Sequence, residues 1–140
     1  MDSRFFIVFL YKKYIIIMEK DVFRVIIAGG RHFGNYDLLK DKCVAILTNK
    51  METCDVHIVS GCASGADSLG EAFADEFQLK VDKFPADWDK FGKSAGYKRN
   101  VQMAENADAL IAFWDGKSKG TNHMINIAKE KNLPTRIIKY

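Results

Sequence analysis

Two glycine-bearing segments of this chain have the make-up of anion cradles. The first, Ser60-Gly61-Cys62-Ala63-Ser64-Gly65-Ala66-Asp67, follows an apolar run and opens a helical pattern. Backbone N–H groups and the helix dipole favour an oxyanion at such a place. The second, Trp114-Asp115-Gly116-Lys117-Ser118-Lys119-Gly120-Thr121, repeats the arrangement and adds two lysines. A phosphate fits either. Both also have a purely structural reading, because Ser64 with Asp67 three residues on matches a capping box, Thr121 reads as an N-cap, and glycine is common where helix and strand pack closely. No GxxxxGK[ST] occurs and no GxGxxG follows the first apolar run, so neither a Walker ATPase nor a standard dinucleotide fingerprint is supported. His32, His57 and His123 are scattered and Cys43, Cys54 and Cys62 form no CxxC pair, so no metal site and no cofactor are expected.

These loops need elements to hold them. Residues 22–28 (VFRVIIA) form a nearly continuous apolar run ending in Gly29-Gly30, as expected of a strand buried on both faces of a parallel sheet. Further strands are expected at 55–60, 80–84, 109–114 and 135–139. Helices are expected at 36–50 with Asn35 as N-cap, from the first glycine loop to about 77, at 94–106, and at 121–131. Strand and helix alternate, which implies a three-layer α/β Rossmann-like fold with a mainly parallel sheet of about five strands. Ligands in such sheets sit beyond the carboxyl ends of the strands, where the strand order reverses. Gly29-Gly30-Arg31, both glycine loops and Phe84-Pro85-Ala86-Asp87-Trp88 all fall at those ends.

With 140 residues, 48% hydrophobic and 28% charged, the chain is one globular domain rather than a disordered segment. Its net charge is +3, of which residues 1–17 supply +2, too balanced to hold nucleic acid by bulk charge. Residues 1–17 read as an apolar extension ahead of a domain at 18–140. Either Met18 is a second possible start or the extension is an extra strand. Its uninterrupted apolar run is too short to cross a membrane, and the free cysteines fit a reducing cytoplasm.

The ordered set Ala28-Gly29-Gly30-Arg31, Ser60-Gly61 to Gly65-Ala66-Asp67, Phe84-Pro85-Ala86-Asp87-Trp88, Tyr97-Lys98-Arg99-Asn100 and Phe113-Trp114-Asp115-Gly116 to Gly120-Thr121 resembles the YspA-like branch of the SLOG superfamily across residues 22–138. The resemblance implies a Rossmann-like fold, a small nucleotide-derived ligand and a homodimer. It also exposes a departure. The "lonely guy" phosphoribohydrolases of that superfamily carry an Arg-Lys pair and a PGGxGTxxE loop. Here the pair reads Arg99-Asn100 and the glutamate position holds Met124. N-glycosidic cleavage passes through an oxocarbenium-like state that a carboxylate stabilises, so a thioether there removes charge complementarity.

The expectation is therefore a cytoplasmic protein that binds a phosphorylated, nucleotide-derived molecule without turnover, as a sensor or sequestering protein. A nucleotide N-glycosidase is the alternative and a single-stranded nucleic-acid binder the second alternative. Arg99 is expected to bring a bidentate guanidinium to phosphate, with Asp115 as first choice for a substitute carboxylate. Trp88 or Trp114 would lie against the base, and Gly29, Gly30, Arg31, Ser60, Gly61, Ser64, Gly65, Ala66, Asp67, Asn100, Gly116, Gly120 and Thr121 would complete the site. Cys62 reads as a small packing residue.

Overall fold

The computed structural model describes residues 3, 4, 6–8, 10, 11 and 20–140. Five strands form one parallel sheet in the order β3-β2-β1-β4-β5, with β1 Val22–Gly29, β2 Asp55–Ser60, β3 Lys80–Lys83, β4 Ala109–Trp114 and β5 Thr135–Lys139. Parallel neighbours require crossovers, and these are α1 Tyr36–Thr53, α2 Ala66–Glu76, a short α3 Trp88–Phe91 leading through a 3-10 turn into α4 Ala95–Glu105, and α5 Lys119–Glu130.

The central strand shows why its sequence is apolar from Val25 to Ala28. Val25 and Ile27 pack with Leu39, Leu47 and Phe73 beneath α1 and α2, while Ile26 and Ala28 pack with Met103 and Met124 beneath α4 and α5. Side chains that alternate between two covered faces leave no position for a polar residue. Helix α1 buries Leu39, Cys43 and Leu47, a stripe at four-residue spacing. Its first turn is fixed by Asn35, whose Oδ1 accepts from the Leu38 N–H at 3.0 Å. At the sheet edge β3 is short and only partly covered.

Two expected caps differ. Thr121 is not the N-cap of α5; the helix begins two residues earlier, and Ser118 Oγ accepts from the Thr121 N–H at 3.3 Å. The capping box at Ser64 is also replaced. Gly65 occupies the N-cap position of α2 without a side-chain bond, and Asp67 instead accepts from the Ala63 N–H at 3.1 Å. In the N-terminal extension Ser3, Arg4, Phe6, Ile7, Val8, Leu10 and Tyr11 are helical rather than extended, and the large apolar side chains among them are exposed. The remainder of the expected extra strand lies outside the described residues. Among the described residues no helix is long and apolar enough to cross a membrane.

Candidate functional site

The chain lays down β2 and β3 on one side of β1 and β4 and β5 on the other, so the strand order reverses between β1 and β4. A cleft of about 560 Å³ opens above that reversal. Its floor is Ala28, Gly29 and Gly30, with Met103 and Met124 behind them.

The floor depends on two loops packed backbone to backbone. Gly30 donates its N–H to the Phe113 carbonyl at 3.3 Å, and its own carbonyl accepts from Phe33 at 3.2 Å and Ala66 at 3.1 Å. Gly65 sits directly above at φ +76, where a Cβ would strike the Gly30 carbonyl and come within 2.6 Å of the Arg31 carbonyl oxygen. Ala66 is fully buried, and a Cβ on Gly29 would come within 2.8 Å of its own Cβ. Gly29, Gly65 and Ala66 therefore set the spacing between β1 and α2, although Gly65 and Ala66 do not line the cleft.

Arg99 is the most constrained cation of the cleft. It rises from α4, donates from Nη1 to the Gly61 carbonyl and from Nε to Asn100 Oδ1 at 3.1 Å. Asn100 is buried and its Nδ2 reaches the Gly120 carbonyl at 3.3 Å and His123 Nδ1 at 3.2 Å. It thus ties the guanidinium to the start of α5. Burial holds the Arg99 pKa below its ordinary value, partly offset by the Asp67 charge. Asp67, only 6% exposed, faces the same cleft. Burial pushes its carboxyl up to about 6, against the opposing pull of the Ala63 N–H and of Arg99. Gly61 is where the two meet, since a Cβ there would lie 2.6 Å from Arg99 Nη1 and 2.8 Å from Asp67 Oδ2.

Across the cleft, Arg31 stands 5.7 Å over the ring of Trp88, which is half exposed. A smaller recess of about 230 Å³ adjoins the cleft and shares Arg31, Ala63, Trp88 and Arg99 with it; Gly61 and Ser64 line the recess. Gly120, Thr121 and Asp115 line the cleft from the second glycine loop.

Three expected residues are turned to structural work outside both cavities. Ser60 Oγ donates to Glu71 at 2.9 Å and accepts from the Cys62 N–H at 3.1 Å. Trp114 donates its indole N–H to the Ser118 carbonyl at 3.1 Å and packs with the core beneath α4 and α5. Gly116, at φ +85, turns the loop. Asp115 lines the cleft, but its Oδ1 accepts from Lys117 and Ser118 at 2.8 and 2.9 Å. Those N–H groups hold its carboxyl below the usual range and keep it ionised.

Several loop amides already have acceptors within the protein. Cys62, Ala63 and Ala66 donate to Ser60, Asp67 and Gly30, and Lys117, Ser118 and Thr121 donate within the second loop. Those six amides are thereby committed to the two loops themselves, and the side chains of Arg31, Lys93, Arg99 and Lys117 add positive charge to the cleft lining. Residues beyond the sequence-derived set also line the cleft, notably Tyr140 and Lys93. Tyr140 packs on Phe33 at 4.6 Å, just past β5. Only the strand order brings it to Gly30.

A family model described as "YspA, cpYpsA-related SLOG family" matches residues 23–91. The chain is 35% identical over 117 residues to the Gene 61 protein of Mycobacterium phage D29, covering 79% of this chain and 92% of that protein. The chain belongs to the YspA, cpYpsA-related SLOG family. The crystal structure of TM1055 superposes with a TM-score of 0.55 at 20% identity, over 83% of this chain and 72% of that one, which supports the Rossmann-like fold. Family membership points to nucleotide-related ligand binding or processing.

Proposed function

We propose that the cleft binds a small nucleotide-derived phosphate and holds it intact. The observation that carries this is the convergence of the braced Arg99 guanidinium, Arg31 and the exposed Trp88 ring on one cleft at the strand-order reversal. Asn100 and Gly61 engage two of the donors of Arg99, and the others are available to a phosphate. Trp88 offers a face for the base, the role for which Trp114 is badly oriented. Retention rather than turnover follows from Met124 and Asp115. The first brings no charge to the sugar, and the second directs its carboxylate Oδ1 back to two amides of its own loop, which offset the negative charge that an oxocarbenium-like state would need. Calorimetric titration with AMP tests the reading. Arg99→Ala is expected to weaken binding by about 10- to 100-fold, as for a lost charge-assisted hydrogen bond, and Arg99→Lys to recover only part of it. Unchanged affinity in both Arg99→Ala and Arg31→Ala would remove the basis of the proposal.

A second reading, N-glycosidic hydrolysis, draws on Asp67 rather than Asp115. A carboxyl at about 6 that faces the cleft is suited to proton transfer near neutral pH. Free base accumulating with AMP, and abolished in Asp67→Asn, would favour hydrolysis.

A further inference from the structure

The orientation of the Asn100 amide is dictated by the chemistry of its partners. Arg99 Nε can only donate, so the atom that meets it at 3.1 Å is Oδ1, and the Gly120 carbonyl can only accept, so the atom that meets it at 3.3 Å is Nδ2. Exchanging the two would set donor against donor and acceptor against acceptor in a side chain only 6% exposed. Nδ2 also meets His123 Nδ1 at 3.2 Å. Because Nδ2 can only donate, Nδ1 must accept. His123 is therefore neutral in this arrangement, with its proton on Nε2.

That assignment ties an imidazole outside the cleft lining to a guanidinium inside it. His123 lies on α5, and its ring packs on Tyr97 of α4 at 4.5 Å, which restrains it from turning away. Arg99 and Asn100 are neighbours on α4, and Arg99 Nη1 donates to the Gly61 carbonyl. A proton on His123 Nδ1 would face the Nδ2 hydrogens. Neither orientation of the amide then satisfies Arg99, Gly120 and His123 together. The proton would also bring a second cation against an amide that already holds a guanidinium.

We propose that His123 is a positioning residue for Arg99: its neutral ring fixes the Asn100 amide that orients the guanidinium, and proton uptake on Nδ1 loosens that hold. This rests on the reading of Arg99 as the phosphate-binding cation and adds the control of that cation by pH. Glu130 on α5 and Tyr97 on α4 face His123, while Asp67 of α2, Arg31 after β1 and Cys62 of the first glycine loop act on Arg99. Burial lowers the His123 pKa from 6.5, with Glu130 opposing. The hold is thus in place at neutral pH and is lost as pH falls through that lowered value.

The experiment is an NMR titration of the isotope-labelled full chain from about pH 7.5 to about pH 5, reading the His123 ring nitrogens and the Arg99 Nε–H. It is run on the wild type and on His123→Asn, whose Oδ1 can accept in place of Nδ1 at every pH. The expected result is a neutral His123 with its proton on Nε2 at the start, and an Arg99 Nε–H shift that moves to its free-guanidinium position with the midpoint of the His123 titration. In His123→Asn that shift is expected to stay. Parallel calorimetry with AMP is expected to show wild-type affinity falling about 3- to 10-fold relative to His123→Asn over the same range. Asp67 and the AMP phosphate titrate in both proteins, so the difference isolates the imidazole. A neutral His123 protonated on Nδ1, an Arg99 shift that ignores the His123 titration, or an equal change in His123→Asn overturns the assignment and leaves nucleotide binding standing. If AMP binds neither protein, the nucleotide reading fails and the NMR titration alone decides the role of His123. Should the asparagine variant not fold, the same titration in Asp67→Asn, which removes the carboxyl acting on Arg99, decides it.

Discussion

At the residue scale the site is governed by how a buried carboxyl and a half-buried guanidinium share one space. Asp67 gains little from Arg99, because burial outweighs the attraction and its carboxyl is raised from 3.8 to about 6. A group whose pKa is raised on folding favours the folded state below the unfolded value and loses that advantage as pH rises through the folded one. Asp67 therefore costs stability progressively from about pH 4 to pH 6, by an amount on the order of 2–3 kcal/mol once fully ionised. Asp67→Asn keeps an acceptor for the Ala63 N–H without the charge. Thermal melts are expected to show the variant gaining on the wild type as pH rises from 4 to 7. A variant that instead loses ground over that range would mean that the attraction to Arg99 dominates.

At the element scale, much of this protein is legible in its sequence. The runs at 55–60, 109–114 and 135–139 coincide with β2, β4 and β5; β4 is apolar throughout because it is covered on both faces, whereas the largely exposed edge strand β5 is marked by its β-branched Thr135, Ile137 and Ile138. The caps were less legible. Ser118 and Thr121 both have a capping hydroxyl, and which one caps depends on where β4 releases the chain. Trp114 sits at the end of β4, but its face of the strand points to the core beneath α4 and α5, so proximity in sequence misjudged its direction. Tyr140 and Lys93 were illegible, because they reach the cleft only through the order of the strands and the turn after α3. The close packing of the loops gives a prediction of its own. Gly65→Ala must place a Cβ at φ +76 against the Gly30 carbonyl, a strain of at least about 2 kcal/mol. Differential scanning calorimetry is expected to show a Tm lowered by roughly 5–10 °C; a change within 1 °C would mean that the two loops can separate freely.

At the scale of the whole molecule, the fold brings four of its 21 basic residues, Arg31, Lys93, Arg99 and Lys117, to one cleft beside Asp67 and Asp115, while the net charge stays at +3. On the proposed function, that charge distribution favours a small anion at the cleft over an extended polyanion. Single-stranded DNA is accordingly expected to give no gel shift at about 0.15 M salt, and a stable, salt-sensitive complex would move nucleic-acid binding ahead of the small-ligand reading. The most direct test of the central claim is to incubate the protein with nucleoside monophosphates, cyclic nucleotides, ADP-ribose and NAD, ultrafilter it, and analyse filtrate and heat-released retentate by mass spectrometry. One phosphorylated nucleotide depleted from the filtrate, recovered intact on heating and no longer retained by Arg99→Ala is the expected result. Free base with a sugar phosphate in the filtrate, or no depletion of any compound, would contradict it.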